Sequence, residues 1–129
     1  MSTDTRSLPI CPTLELRLIM AGVQALRYPR PLYRALFRIA ICNRGNRPLR
    51  ILGRKWTLRE LNGSTRIIEA DKIFGTSPLL TPGAVFATSG SQEFDTPPIA
   101  MELRLFGADE FATPFISEPL RFPRNCFRH

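Results

Sequence analysis

Histidine is almost missing from this chain: the only one is His129, the last residue. Imidazole is the side chain that most often moves protons near neutral pH. A chain end is a poor place to hold a proton-transfer geometry, so histidine-based catalysis is not expected. Cysteine is also scarce. Cys11, Cys42 and Cys126 are an odd number at wide spacing, unlike the framework of a small disulfide-bonded secreted domain, and they point to a reducing, cytoplasmic setting. Cys126 and His129 have the spacing Cys-x-x-His, but no second Cys-x-x-Cys pair completes a four-ligand zinc site, so neither metal nor cofactor is expected. Long hydrophobic runs are lacking too. The stretch 14–26 is interrupted by Glu15, Arg17 and Gln24, and 1–10 is polar with Asp4, which argues against both a signal peptide and a membrane span. There is no Gly-x-Ser-x-Gly elbow, no Walker lysine and no aromatic-basic RNA-recognition signature. The carboxylates are scattered, with Glu60, Glu69 and Asp71 flanking one hairpin, Glu93 and Asp95 expected in a loop and Asp109 and Glu110 in another. They read as solvated charges rather than as a catalytic pair, and no enzyme is expected.

What is present suffices for one folded unit. The chain has 129 residues, 43% of them apolar, with nine phenylalanines, close to the common size of a single domain. A chain of this length buries roughly two-thirds of the surface it exposes when unfolded, so a core can form without a staple. Basic residues outnumber acidic ones 18 to 11, giving a formal charge of +7 carried by 16 arginines and only two lysines, Lys55 and Lys72. Such a balance attracts anions in general. Arginine alternating with apolar residues is also the arrangement of a solvated strand face, so nucleic-acid binding through arginine-rich faces rests on charge alone.

Period-two alternation dominates the chain. Leu14, Leu16, Leu18 and Met20 fall on one side of a strand, with Glu15 and Arg17 on the other. Tyr33, Ala35, Phe37, Ile39 and Ile41 alternate in the same way up to a turn cluster at 43–48. The four-residue spacing of Leu32 and Leu36 leaves a helix over 32–40 open, but the aromatic and β-branched residues on one alternating face favour a strand. In 49–61, Trp56 and Leu58 share a face while Arg54 breaks the alternation beside Gly53, which predicts a bulge there. Asn62-Gly63 predicts a two-residue type I′ hairpin turn between strands 54–61 and 64–73, and this outweighs reading Asn62-Gly63-Ser64 as a glycosylation sequon. Thr81-Pro82-Gly83 predicts a tight turn with Pro and Gly at its two central positions, followed by a strand over 85–89. Ile99, Met101, Leu103 and Leu105 alternate cleanly up to the turn signal at 107–110, a last strand lies near 115–120, and 124–129 reads as a weakly packed tail. About seven short strands without an amphipathic helix predict an all-β, antiparallel β-sandwich, with a barrel as competitor. The expected layout is an extension over 1–13, the sandwich over 14–122 and a basic tail over 123–129.

The ordered series Ile51-Leu-Gly-Arg-Lys-Trp-Thr-Leu, Asn62-Gly, Gly75-Thr-Ser-Pro-Leu-Leu-Thr-Pro-Gly83, Val85-Phe86, Thr88-Ser-Gly90, Thr96-Pro97 and Met101 resembles the ApaG domain family. The resemblance runs over 14–122. It implies an immunoglobulin-like or fibronectin type III-like sandwich and a small binding module without established enzymatic activity. It further implies protein–protein interaction, a link to divalent cation (cobalt or magnesium) homeostasis and, in some members, binding of pyrophosphate or nucleotide. Family members often carry Gly-x-Gly-x-x-Gly before the Pro-Leu-Leu turn. Here that run is Ala70-Asp71-Lys72-Ile73-Phe74-Gly75, so only the last glycine remains and β-carbons hinder close backbone approach to a phosphate. Arg54, Lys55, Lys72 and Gly75 are the candidate ligand-binding residues, and Trp56 is expected to fill the core between sheets rather than to form a ligand platform. The expected partner is a protein of unknown identity, with a phosphate-containing anion as the alternative and self-association through exposed edge strands open.

Overall fold

The alternation of apolar residues along nearly every segment leaves one face of each strand to be covered, and two stacked sheets are the solution this chain adopts. A computed structural model describes residues 8–27, 29–73 and 75–127. The strands are β1 (Ile10–Cys11), β2 (Leu14–Leu26), β3 (Leu32–Asn43), β4 (Leu49–Glu60), β5 (Thr65–Asp71), β6 (Leu79–Leu80), β7 (Val85–Phe94), β8 (Pro98–Asp109), β9 (Pro114–Ser117) and β10 (Leu120–Arg121). One sheet has the order β1-β9-β8-β4-β5, with β10 beside β8 and β6 beside β4, and the other has the order β2-β3-β7. All pairings are antiparallel except the short one between β1 and β9, where Ile10 stands opposite Ile116. The fold is an all-β sandwich. β1, drawn from the stretch read above as an extension, adds a strand to its edge.

The core lies between the sheets. Ala35, Phe37, Ile39 and Ile41 from β3 meet Trp56 and Leu58 from β4 and Met101, Leu103 and Leu105 from β8, all of them buried. The rings of Phe37 and Trp56 are 5.1 Å apart, and Phe122 stands edge-on to both at 5.7 and 5.8 Å. Trp56 therefore bridges the two layers, as expected for a large aromatic residue on an alternating strand. No described residue accepts a hydrogen bond from its Nε1.

The structure departs from strict alternation at several points. In β2 the register against β3 slips between Leu18 and Met20, so the bulge at Ile19 leaves Met20 54% exposed and turns Ala21 and Val23 towards the core. In β4 the register against β8 slips between Ile51 and Gly53, the bulge expected beside Gly53. The β4–β5 hairpin forms, but not with a type I′ turn: the Glu60 carbonyl accepts the Gly63 N–H at 3.0 Å, Glu60 donates to Ser64 at 3.1 Å, and only Gly63 has positive φ, at 91°. This is a three-residue loop with a left-handed glycine at its end. The cause is register: a two-residue loop would slide β5 by one residue, whereas the observed pairing keeps Trp56 opposite Ile68 and both side chains on the core face. The turn at Thr81 forms as expected, with Ala84 donating to the Thr81 carbonyl at 2.9 Å and Gly83 at φ 82°. β7 runs on to Phe94 and β8 through Gly107 to Asp109. Part of the tail is packed: residues Arg124–Phe127 form a 3-10 turn, with Phe127 against the core.

Candidate functional site

Arg54, Lys72 and Gly75 converge on the loop that leaves β5. The Arg54 guanidinium reaches that loop from β4 and donates from Nη1 to the carbonyls of Asp71 (3.3 Å) and Lys72 (2.7 Å). Lys72 is left-handed, at φ 67°, and its N–H donates to the carbonyl of the bulge residue Leu52 at 2.6 Å. Beyond it, Ile73 and Thr76 exchange backbone hydrogen bonds at 2.6 and 3.1 Å, with Ile73 fully buried as the plug that seats the loop. Gly75, at φ 93°, faces open space. The amides of Lys72, Ile73 and Thr76 thus donate within the protein, and the loop offers Lys72's exposed side chain rather than a cradle of free N–H groups. Lys55 is not part of this cluster. It is next to Arg54 on the strand and so points to the other face, where its Nζ is 3.8 Å from Glu69 on β5. Phe74 and His129 lie outside the described residues.

A second feature is larger and was not picked out from the sequence. At the far end of β4, an open groove of about 810 Å³ runs between the hairpin tip, the start of β8 and the C-terminal 3-10 turn. Leu61 (66% exposed) and Ile99 (41% exposed) stand beside Pro97, Phe122 and Phe127 as its apolar surface. Arg59, Arg121 and Arg124 line it as well. Arg121 is 3.7 Å from Glu102, while Arg59 and Arg124 have no carboxylate within ion-pair distance among the described residues. The size falls within the range of ligand sites, and the chemistry combines apolar contact with positive charge. Its residues come from three separate segments, so no local motif announces it. The one hint in the sequence is the basic, phenylalanine-containing tail.

Two buried polar side chains hold these loops. Glu60, only 5% exposed, accepts from Thr96 N–H at 3.0 Å and from its hydroxyl at 2.9 Å, which ties the hairpin to the β7–β8 loop. Glu60 is therefore not the solvated charge expected above, because the loop closes over it and supplies its partners. Asn43, 1% exposed, donates to the carbonyls of Arg47 (2.7 Å) and Leu80 (2.9 Å) and accepts from Gly45 N–H at 3.0 Å. Beside Asn43, hydrogen bonds from Arg17 and Arg44 hold the Glu15 carboxyl below its usual range, and in the C-terminal 3-10 turn burial pushes the Cys126 thiol up. All three cysteines are free thiols. Among the described residues no three His, Cys, Asp or Glu side chains gather in one place, and no helix is long and apolar enough to cross a membrane.

Comparison with known proteins connects the loops to a family. Protein ApaG from Methylococcus capsulatus is 27% identical over 117 residues, covering 85% of this chain and 93% of that protein. Protein ApaG from Escherichia coli is 28% identical over 79 residues, or 61% of this chain and 63% of that one. An X-ray structure of a structural genomics target matches with a TM-score of 0.77 at 18% identity over 91% of both chains. A crystal structure of a protein described as ApaA from Bordetella pertussis matches at 0.68 and 21% identity, covering 88% of this chain and 94% of that one. At these identities the structures share the fold. The ApaG domain pattern itself matches residues 29–103, a span that contains the Arg54 loop, the Pro-Leu-Leu turn and the Glu60–Thr96 tie, and the chain belongs to the ApaG domain family.

Proposed function

We propose that this protein is a non-catalytic binding module that docks a protein partner in the groove beside the C-terminal 3-10 turn. The observation that carries the reading is the combination there of exposed Leu61 and Ile99 with Arg59 and Arg124, two guanidinium groups without carboxylate partners among the described residues. Apolar anchors flanked by acidic groups complement such a surface, since apolar contact supplies affinity and opposite charge supplies steering and register. The test is retention of partners from native lysate on immobilised protein, comparing wild type with Arg59→Glu/Arg124→Glu. The expected result is a set of proteins bound by wild type and lost by the variant. Equal retention by both overturns the reading.

The alternative, a binder of pyrophosphate or nucleotide, is supported by the exposed Lys72 side chain next to the open space at Gly75. The neighbouring amides that already donate within the protein weigh against it. In this reading Arg54 shapes the loop rather than touching the anion. Calorimetric titration with pyrophosphate decides: heat at millimolar ligand that disappears in Lys72→Ala supports it, and no heat removes it.

A further inference from the structure

Open sheet edges invite pairing with another chain, and proteins guard them with charges, proline and bulges. Apart from the two-residue strands, three strands stand at sheet edges, β2, β5 and β7, and two of them are guarded. β2 carries the bulge at Ile19 together with Glu15 and Arg17, and β5 is seven residues long with Arg66, Glu69 and Asp71. The third, β7, has no bulge and no proline, and its one charged residue, Glu93, stands next to its end, so that 85–92 carries no guard. Its ten residues run in unbroken register against β3 and include no proline, lysine or arginine. In a chain of charge +7, no basic residue occurs between Lys72 and Arg104.

Backbone parity decides which groups this edge offers. Asn43 donates to the Ala84 carbonyl at 3.0 Å, and the same register sets Ile41 opposite Phe86 and Ile39 opposite Thr88. The even-numbered residues of β7 therefore direct their N–H and C=O groups to β3. The odd-numbered ones point away, which the hydrogen bond from Arg66 Nη2 to the Glu93 carbonyl (2.6 Å) shows independently. Arg66 closes the Glu93 end. Val85, Ala87, Ser89 and Ser91 remain with outward backbone groups, and among the described residues no strand lies on that side.

We infer that this edge pairs with β7 of a second copy of the chain, antiparallel about a two-fold axis at Thr88. Val85 then stands opposite Ser91 and Ala87 opposite Ser89, in both directions, giving on the order of eight backbone hydrogen bonds. The three-stranded sheet continues into one of six strands. The facing side chains are small, and this register leaves both Arg66-capped ends outside the pairing. A second copy fits because the edge is self-complementary, as an isologous contact requires, and because like-charged bodies meet where no cation stands. Of the arginines one strand removed, Arg34 is neutralised by Glu93 at 2.9 Å, while Arg38, opposite Ser89, is exposed and adds to the like charge of the two copies. Strand-edge pairing alone buries less than the roughly 1,200–2,000 Å² of a stable interface, so the dimer is weak and depends on concentration. Added salt strengthens it by screening the like charge of the two copies.

Sedimentation equilibrium of the full chain from micromolar to millimolar concentration tests this. The expected result is a mass rising from 14.6 kDa towards twice that value, more so at higher salt. Ser89→Pro abolishes the rise, because the Ser89 N–H faces away from β3 and its removal leaves the internal ladder intact. Ser89→Lys, a guard charge without backbone constraint, does the same if the proline variant fails to fold. A wild type that stays at the monomer mass throughout overturns the inference, as does dimerisation of the variants at wild-type strength. Protection of the Ala87 and Ser89 amides from hydrogen exchange only when a foreign peptide is added also overturns it and gives the edge to a heterologous strand.

Discussion

Trp56 stands where both sheets and the C-terminal segment meet, touching Phe37 on one layer and Phe122 just after β10. Removing it leaves a cavity that neighbouring β-strands, held by their ladders, fill poorly. Trp56→Ala is expected to lower stability by about 3–5 kcal/mol in urea unfolding. Trp56→Phe is expected to cost much less than that, since the indole Nε1 has no acceptor among the described residues to lose. The identity and burial of Trp56 are legible in the sequence, because an aromatic residue on an alternating strand has one face to go to. Asn43 and Glu60 are not legible in the same way. Alternation assigns a side chain to a face, but the partners that make their burial tolerable, the Leu80 carbonyl and Thr96, come from segments about 36 residues away and exist only once the loops have closed.

At the scale of the element, bulges and turns decide which residues reach the surface. The β4 bulge is announced by Gly53, and the structure supplies the reason: a Cβ there would lie 2.1 Å from the Phe106 ring and 2.7 Å from the Ala70 carbonyl. The Phe106 ring lies across the bare backbone, and the carbonyl cannot move without breaking the β4–β5 ladder. Gly53→Ala is expected to destabilise by about 1–3 kcal/mol, read as a lower thermal midpoint with an unchanged fold. The β2 bulge at Ile19 carries no such marker, since neither Ile19 nor Met20 is a glycine or a proline, and it redirects every side chain after it. The hairpin at Asn62-Gly63 shows a further limit. Its dipeptide signals a turn and its position, while loop length follows from the register that keeps Trp56 opposite Ile68.

For the whole molecule, charge links distant parts. Glu15 on β2 holds both Arg17 on its own strand and Arg44 in the β3–β4 loop, and these hydrogen bonds lower its folded pKa. A carboxyl whose folded pKa lies below its unfolded value stabilises the fold above the unfolded value and loses that contribution as pH falls through the folded one. Wild type is therefore expected to exceed Glu15→Gln in urea midpoint at neutral pH by a small margin, as befits an exposed pair. The margin closes as the solution is acidified below the usual carboxylate range. A constant margin from neutral to acid pH would contradict this account.

The sequence by itself determined the class of structure and most of its core, because a period of two is a local property that any strand must satisfy wherever it ends up. It also determined the Pro82-Gly83 turn, the bulge at Gly53 and, through an ordered series of short motifs, the family. Tertiary structure decided the rest. It directed Arg54 to backbone carbonyls, separated Lys55 from Lys72, gathered Arg59, Ile99 and Arg124 around one groove, and left β7, a strand without a basic residue, at a sheet edge. Proximity between residues far apart in the chain arises only when the sheets stack and the register is fixed, and no local pattern encodes it.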